Sequence, residues 1–157
     1  MSSQASLGAL SVAVDVALRT RDEARRLLQS AHNAQHAAQQ QMEQLQGYAG
    51  ETQDRWGLRA NAQVQPEVMF HHYQFMERLH HAMGMQGTVV GDHGHRVGAA
   101  QKALLAAELR LASLKKLADQ RAREWALQQS RRDQKQTDER AGQQRRTEFT
   151  RPEGQES

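Results

Sequence analysis

The chain of 157 residues contains no cysteine, which excludes disulfides, thiolate catalysis and zinc ribbons. It has no isoleucine, two prolines and only 4% aromatic residues. Leu, Ile, Val and Phe together make up about 17% of it, below the roughly 20% at which a conventional globular core becomes doubtful. No apolar run approaches the ~20 residues that cross a bilayer. The opening MSSQASLGALSVAVDVAL has no basic leader and is interrupted by Asp15, so no secretion signal is expected and the cytoplasm is the expected compartment. A strong charge of one sign is missing too: a net +3 is too little to hold the chain open by repulsion. The modest arginine excess suits nucleic acid, anionic lipid or acidic protein partners.

What is present is helix-forming. Ala, Glu, Lys, Leu and Arg make up about 45% of the chain, and glutamine is abundant besides. From Leu7 an apolar 3-4 repeat runs through Leu7, Leu10, Val14, Ala17, Arg21, Ala24, Leu28, Ala31, Gln35, Ala38, Met42 and Leu45. Ten of these twelve are apolar, a coiled-coil pattern in which frequent alanine makes the seam narrow. Residues 49–66 (AGETQDRWGLRANAQVQP) break the pattern with Gly50, Gly57 and Asn61, and Pro66 suits the first turn of a new helix. A second track then places Met69, Met76, Met83, Val90, Val97, Leu104, Leu111, Ala118 and Trp125 at a. Its d positions are mixed: His72, Leu79, Gln86, His93, Ala100, Ala107, Leu114 and Arg121.

These tracks predict an all-α fold: an antiparallel two-helix coiled coil, with helix over about 5–50, a turn over 51–66 and helix over about 67–140. Together they form one hairpin unit, 1–141. The second helix is the longer, so its end should project past the start of the first. Residues 142–157 lose periodicity and are expected to be a disordered tail.

The segment 83–98, MGMQGTVVGDHGHRVG, holds Gly84, Gly87, Gly91, Gly94 and Gly98 beside His93 and His95. The glycine spacings of 3, 4, 3 and 4 follow one face of a helix, unlike a phosphate-cradling loop. Met83, Val90 and Val97 stay in phase with the track on either side, so the segment is expected to be weak helix. His71, His72, His80, His81, His93 and His95 scatter around the helix, and adjacent His-His pairs point about 100° apart and cannot chelate together. His32 and His36 share a face but have no evident third ligand. No metal or other cofactor is expected. A two-helix rod offers no concave, water-excluding pocket, and Asp92 beside His93 activates no nucleophile, so no enzyme is expected.

Two stretches bear on partners. Arg121, Arg123, Arg131, Arg132, Lys135, Arg140, Arg145, Arg146 and Arg151 are interleaved with Glu124, Asp133, Asp138 and Glu139. Acidic interleaving and scarce aromatics favour a solvated, salt-bridged surface over a basic nucleic-acid-binding hairpin, the rival reading. Near the turn, Gln41, Leu45, Tyr48 and Thr52 on the first helix, and Phe75, Leu79, Ala82 and Gln86 on the second, share one spacing of i, i+4, i+7 and i+11. They straddle the edge of the seam. Ordinary hairpin packing and a protein-docking surface with an aromatic anchor both fit that spacing.

QMEQLQGY closing the first helix and YQFMERLHHAM opening the second resemble the flagellar export protein FliJ family. RRDQKQTDERAGQQRR, with Asp133, Gln134, Lys135, Asp138 and Glu139, is similar to that family's C-terminal stretch. The resemblance spans most of the chain and implies a small cytoplasmic coiled coil of the flagellar type III export apparatus. It implies a stalk that enters the export ATPase hexamer and promotes its assembly. It also implies binding to the cytoplasmic region of the export gate and escort of export chaperones, at the inner membrane and as a monomer. The equivalent stalk of a virulence secretion system is the nearest variant. The implied gate-binding residues are Gln41, Leu45, Tyr48, Phe75, Leu79 and Ala82; Thr52 and Gln86 stand where the family pattern has a tyrosine and a histidine. The arginine-rich stretch points to Arg131, Arg132, Asp133, Gln134 and Lys135 as residues facing the ATPase ring.

The glycine content makes a measurable expectation. Backbone amides of residues 83–98 should exchange with solvent faster than those of residues 104–118, as read by hydrogen exchange, because each helical glycine costs about 1 kcal/mol relative to alanine. Equal protection would contradict a weak segment.

Overall fold

The computed structural model describes residues 2–60 and 64–150. Two helices, α1 (Ser2–Ala60) and α2 (Pro66–Phe149), pack antiparallel, and the described residues contain no strand. The sequence pattern explains the pairing. All twelve seam positions from Leu7 to Leu45 are buried or half-buried, and the same phase continues through Ala49, Thr52 and Trp56. On α2 every seam position is at least half-buried except Met69, in the first turn, and Arg121.

Contacts divide the chain into two compact units. One joins Leu18–Leu109, the other Met1–Ala17 with Arg110–Ser157. Within the first, the partners of α1 descend along α2 as α1 ascends: Arg25 pairs with Glu108, Gln41 with Gln86, and Trp56 with His72. Its buried residues include Ala24, Ala38, Ala49, Met76, Leu79, Val97 and Ala107. A small cluster of Ala49, Met76 and Leu79, packed by Leu45 and Met83, forms where the two helices approach the connection. In the second unit Ala17 and Leu111 are buried, and Arg121 Nη1 donates to Ser6 Oγ at 3.1 Å.

Three boundaries differ from the sequence-based expectation. Residues 51–60, expected in the turn, are helical. Gly50 and Gly57 sit outside the seam with open space where a Cβ would stand, so each costs helix propensity without disturbing packing. Trp56, half-buried on the seam, stacks on His72 and offsets part of that cost. Pro66 does open α2, and the Met69 N–H closes onto the Gln65 carbonyl at 3.2 Å, placing the cap one residue before the proline. Finally, α2 runs to Phe149 rather than stopping near 140, so 142–149 are helix. After Trp125 the seam positions turn polar and the last half-buried residue is Gln129. Loss of a seam removes the partner but not the helix propensity of Arg, Gln, Glu and Ala. Thr147 and Thr150 also return hydroxyl hydrogen bonds to carbonyls three and four residues back. The rest of the expected tail, 151–157, and Asn61 of the expected turn lie outside the described residues.

Residues 83–98 are helical throughout, and none of their glycines has a backbone conformation that needs glycine. Gly84 and Gly91 are exposed with nothing within 4 Å of a built Cβ. Gly84→Ala and Gly91→Ala should therefore each raise stability by about 0.8–1 kcal/mol in urea or thermal unfolding. A loss of stability in either would mean the glycine meets something not visible in the packing.

Candidate docking surface

The end of the hairpin near the connection is built on the apolar cluster. Of the implied gate-binding residues, Leu79 is buried in it and Leu45, half-buried, packs against it. Tyr48 and Phe75 flank them at the seam edge. The two residues stay 52% and 40% exposed, and their rings meet edge-to-face with centroids 6.0 Å apart. Such a pair adds about 0.5–1.5 kcal/mol beyond its buried area, enough to fix both rings in place while leaving their outer faces free. Ala82 is half-buried one turn beyond Leu79, and Gln41 is exposed. The stripe therefore divides by residue: a buried foundation and an exposed aromatic pair above it.

Gln41 and Gln86 connect across the seam. The Gln86 side-chain amide donates to the Ala38 carbonyl at 2.8 Å and to Gln41 Oε1 at 3.2 Å. Where the family pattern has a histidine, this chain has an amide that ties one helix to the backbone of the other. Thr52, in place of the second tyrosine, is half-buried on the seam and leaves more room beside Tyr48.

An open groove of about 660 Å³ runs next to the aromatic pair, between the last turns of α1 and the first turns of α2. Tyr48, Arg55, Trp56, Leu58, His71 and Phe75 are among the residues that line it. The Trp56 and His72 rings stack face to face at 3.9 Å with an interplanar angle of 5°. Leu58, Val68, Phe70 and Tyr73 add exposed apolar surface at this end, with Leu58 the most open at 78%. Sequence reading missed Trp56 and Leu58 because it placed them in a turn. The 3-4 phase already reached Trp56 from Leu45, and following it through the two glycines would have found it.

Arg131, Arg132, Asp133, Gln134 and Lys135 are all exposed on the part of α2 that has left the seam. As consecutive helical residues they point around the whole circumference and do not form one patch. None of the five has an ion pair among the described residues, so their charges are fully presented to solvent. The described residues hold no cluster of three or more metal-ligating side chains. No described helix is long and apolar enough to cross a membrane.

No curated protein and no solved structure matches the chain. The family described as flagellar FliJ protein matches residues 6–148, which takes in both helices, the aromatic pair and the arginine-rich stretch. The chain belongs to the flagellar FliJ family and is a non-enzymatic component related to flagellar protein export.

Proposed function

We propose that the protein is a stalk and escort component of the flagellar type III export apparatus. In this reading it binds the export ATPase hexamer and promotes its assembly and activity. It also docks on the cytoplasmic region of the export gate and escorts export chaperones. It acts as a peripheral monomer at the cytoplasmic face of the inner membrane. The observation that carries the reading is the Tyr48–Phe75 pair, half-exposed yet held in place by a buried foundation. Rigid aromatic side chains beside an open groove supply contact area at little entropic cost, which is what a protein anchor requires. The exposed helix beyond Gln129 supports the ATPase assignment by a different argument. A single helix without a partner is slim enough to enter a ring, and its unpaired arginines suit acidic groups lining one.

Two measurements test the two surfaces separately. Tyr48→Ala combined with Phe75→Ala should leave far-UV helicity intact and weaken binding to the gate's cytoplasmic fragment by about tenfold or more. A collapse of helicity would instead assign the pair to the core. Charge reversal, Arg131→Glu with Arg132→Glu, should reduce both capture of the export ATPase and stimulation of its activity, while gate binding stays as it was. Full stimulation by that variant would remove the arginines from the ring contact.

A further inference from the structure

Within the unit Leu18–Leu109 the two lateral edges of the helix pair differ in chemistry. The edge carrying Arg25, His32 and Gln39 on α1 faces Glu108 and Gln101 on α2, and Arg25 reaches Glu108 at 3.9 Å. The opposite edge carries Leu27 and Ala34 on α1, with Val89 and Ala103 on α2. On this edge lies an open groove of about 490 Å³ whose floor is Ala24, Leu27, Ala100, Ala103 and Ala107. Because four of these side chains end at Cβ, the two backbones lie open to close approach from outside. Leu27 remains 50% exposed beside them.

The charges around the groove are unbalanced. Glu23 lies at its side, but Arg26 holds that carboxylate through two hydrogen bonds of 2.6 and 3.0 Å, which pull its pKa below the ordinary value. Arg21 is occupied by Asp22 and Arg25 by Glu108. Arg19, which also lines the groove, has no acidic partner among the described residues. Arg96, one heptad before Ala103 on the same edge, lies outside the groove and has Asp92, unpaired among the described residues, one turn before it. Among the residues that line the groove, Arg19 is thus the charged group without an ion pair, and the one lining carboxylate, Glu23, is engaged.

We propose that this groove docks an amphipathic helix of a partner protein, apolar on the face that enters and acidic along its flanks. A straight furrow between two packed helices is the shape that a third helix fills, with anchors at i, i+3, i+4 and i+7. An acidic flank would meet Arg19, which no ion pair among the described residues occupies. A second copy of this chain is disfavoured as occupant, since its own copy of this groove brings Arg19 and no unpaired lining carboxylate to meet the first. The site is separate from Tyr48 and Phe75 and does not rest on the function proposed for them.

The test uses the full chain and two fluorescent helical peptides with leucine at a and d. One has glutamate at e and g, the other lysine, so that each repels itself and stays monomeric. At physiological ionic strength the acidic peptide should bind, and the lysine peptide should bind at least about tenfold more weakly. Ala103→Glu and, separately, Arg19→Glu should each weaken the acidic peptide by roughly tenfold. Gln101→Glu, which adds the same charge as Ala103→Glu on the other edge, should change binding by less than about twofold. The Tyr48→Ala, Phe75→Ala double variant should bind the peptide normally, so failure of the gate reading would leave this result standing. Equal weakening by Ala103→Glu and Gln101→Glu would reduce the effect to general attraction and overturn the proposal, as would no binding of the acidic peptide. Two further outcomes also overturn it. One is capture by phosphatidylglycerol vesicles, without peptide binding, that Ala103→Glu abolishes. The other is concentration-dependent self-association in sedimentation that the same substitution removes.

Discussion

Everything in this molecule depends on a seam made narrow by alanine. Of the nine buried apolar residues among those described, five are alanines, and no described side chain is fully enclosed. Two helices alone cannot surround a residue, so each large side chain keeps one flank in water. This is why Tyr48, Phe75 and Leu27 are at once packed and exposed. In a globular domain such residues would be anomalies, whereas here they follow from the architecture. Surface available to partners comes with the fold and needs no extra loops or domains.

The same narrowness sets the division of labour along the chain. Where the seam carries Leu45, Met76, Leu79 and Met83, it makes a small core able to support an aromatic pair. Where it carries Ala24, Ala100 and Ala107, it makes a shallow furrow. Where it turns polar beyond Trp125, one helix goes on without the other. Three kinds of surface arise from one repeat by changing the size and polarity of the residues at two of its seven positions.

The helices and their seam were legible in the sequence because an apolar 3-4 phase has one common physical cause. Leu7 to Leu45 and Met76 to Ala118 fell where that phase put them. The ends were less legible. Gly50 and Gly57 read as part of a turn and the loss of periodicity after residue 141 read as a tail, but Trp56 stacked across the seam and a run of strong helix formers carry the helices on. Those compensations lie across the seam or in summed propensity, and a local reading does not contain them. Of the docking stripe, the spacing put Leu45 and Leu79 in the seam and Tyr48 and Phe75 beside it, as the structure has them. What it did not contain is the edge-to-face meeting of the two rings, which depends on how the two helices are rotated about each other. The free charge of Arg19 was illegible for a related reason, because it emerges only when neighbouring arginines are seen to be taken.

Alanine recurs at every second seam position of α1 from Ala17 to Ala38, so these places by themselves would tolerate a slide of one helix past the other by a heptad. The Gln86 amide removes that degeneracy. It reaches the Ala38 carbonyl and the Gln41 oxygen, and a slide by a heptad would put Ala34 or Tyr48 in the place of Gln41 and remove the second bond. The Trp56–His72 stack provides a second index mark nearer the connection. Two polar or aromatic contacts thus join the larger seam residues in marking one alignment. A surface assembled from residues of both helices keeps its geometry only if that alignment never slips.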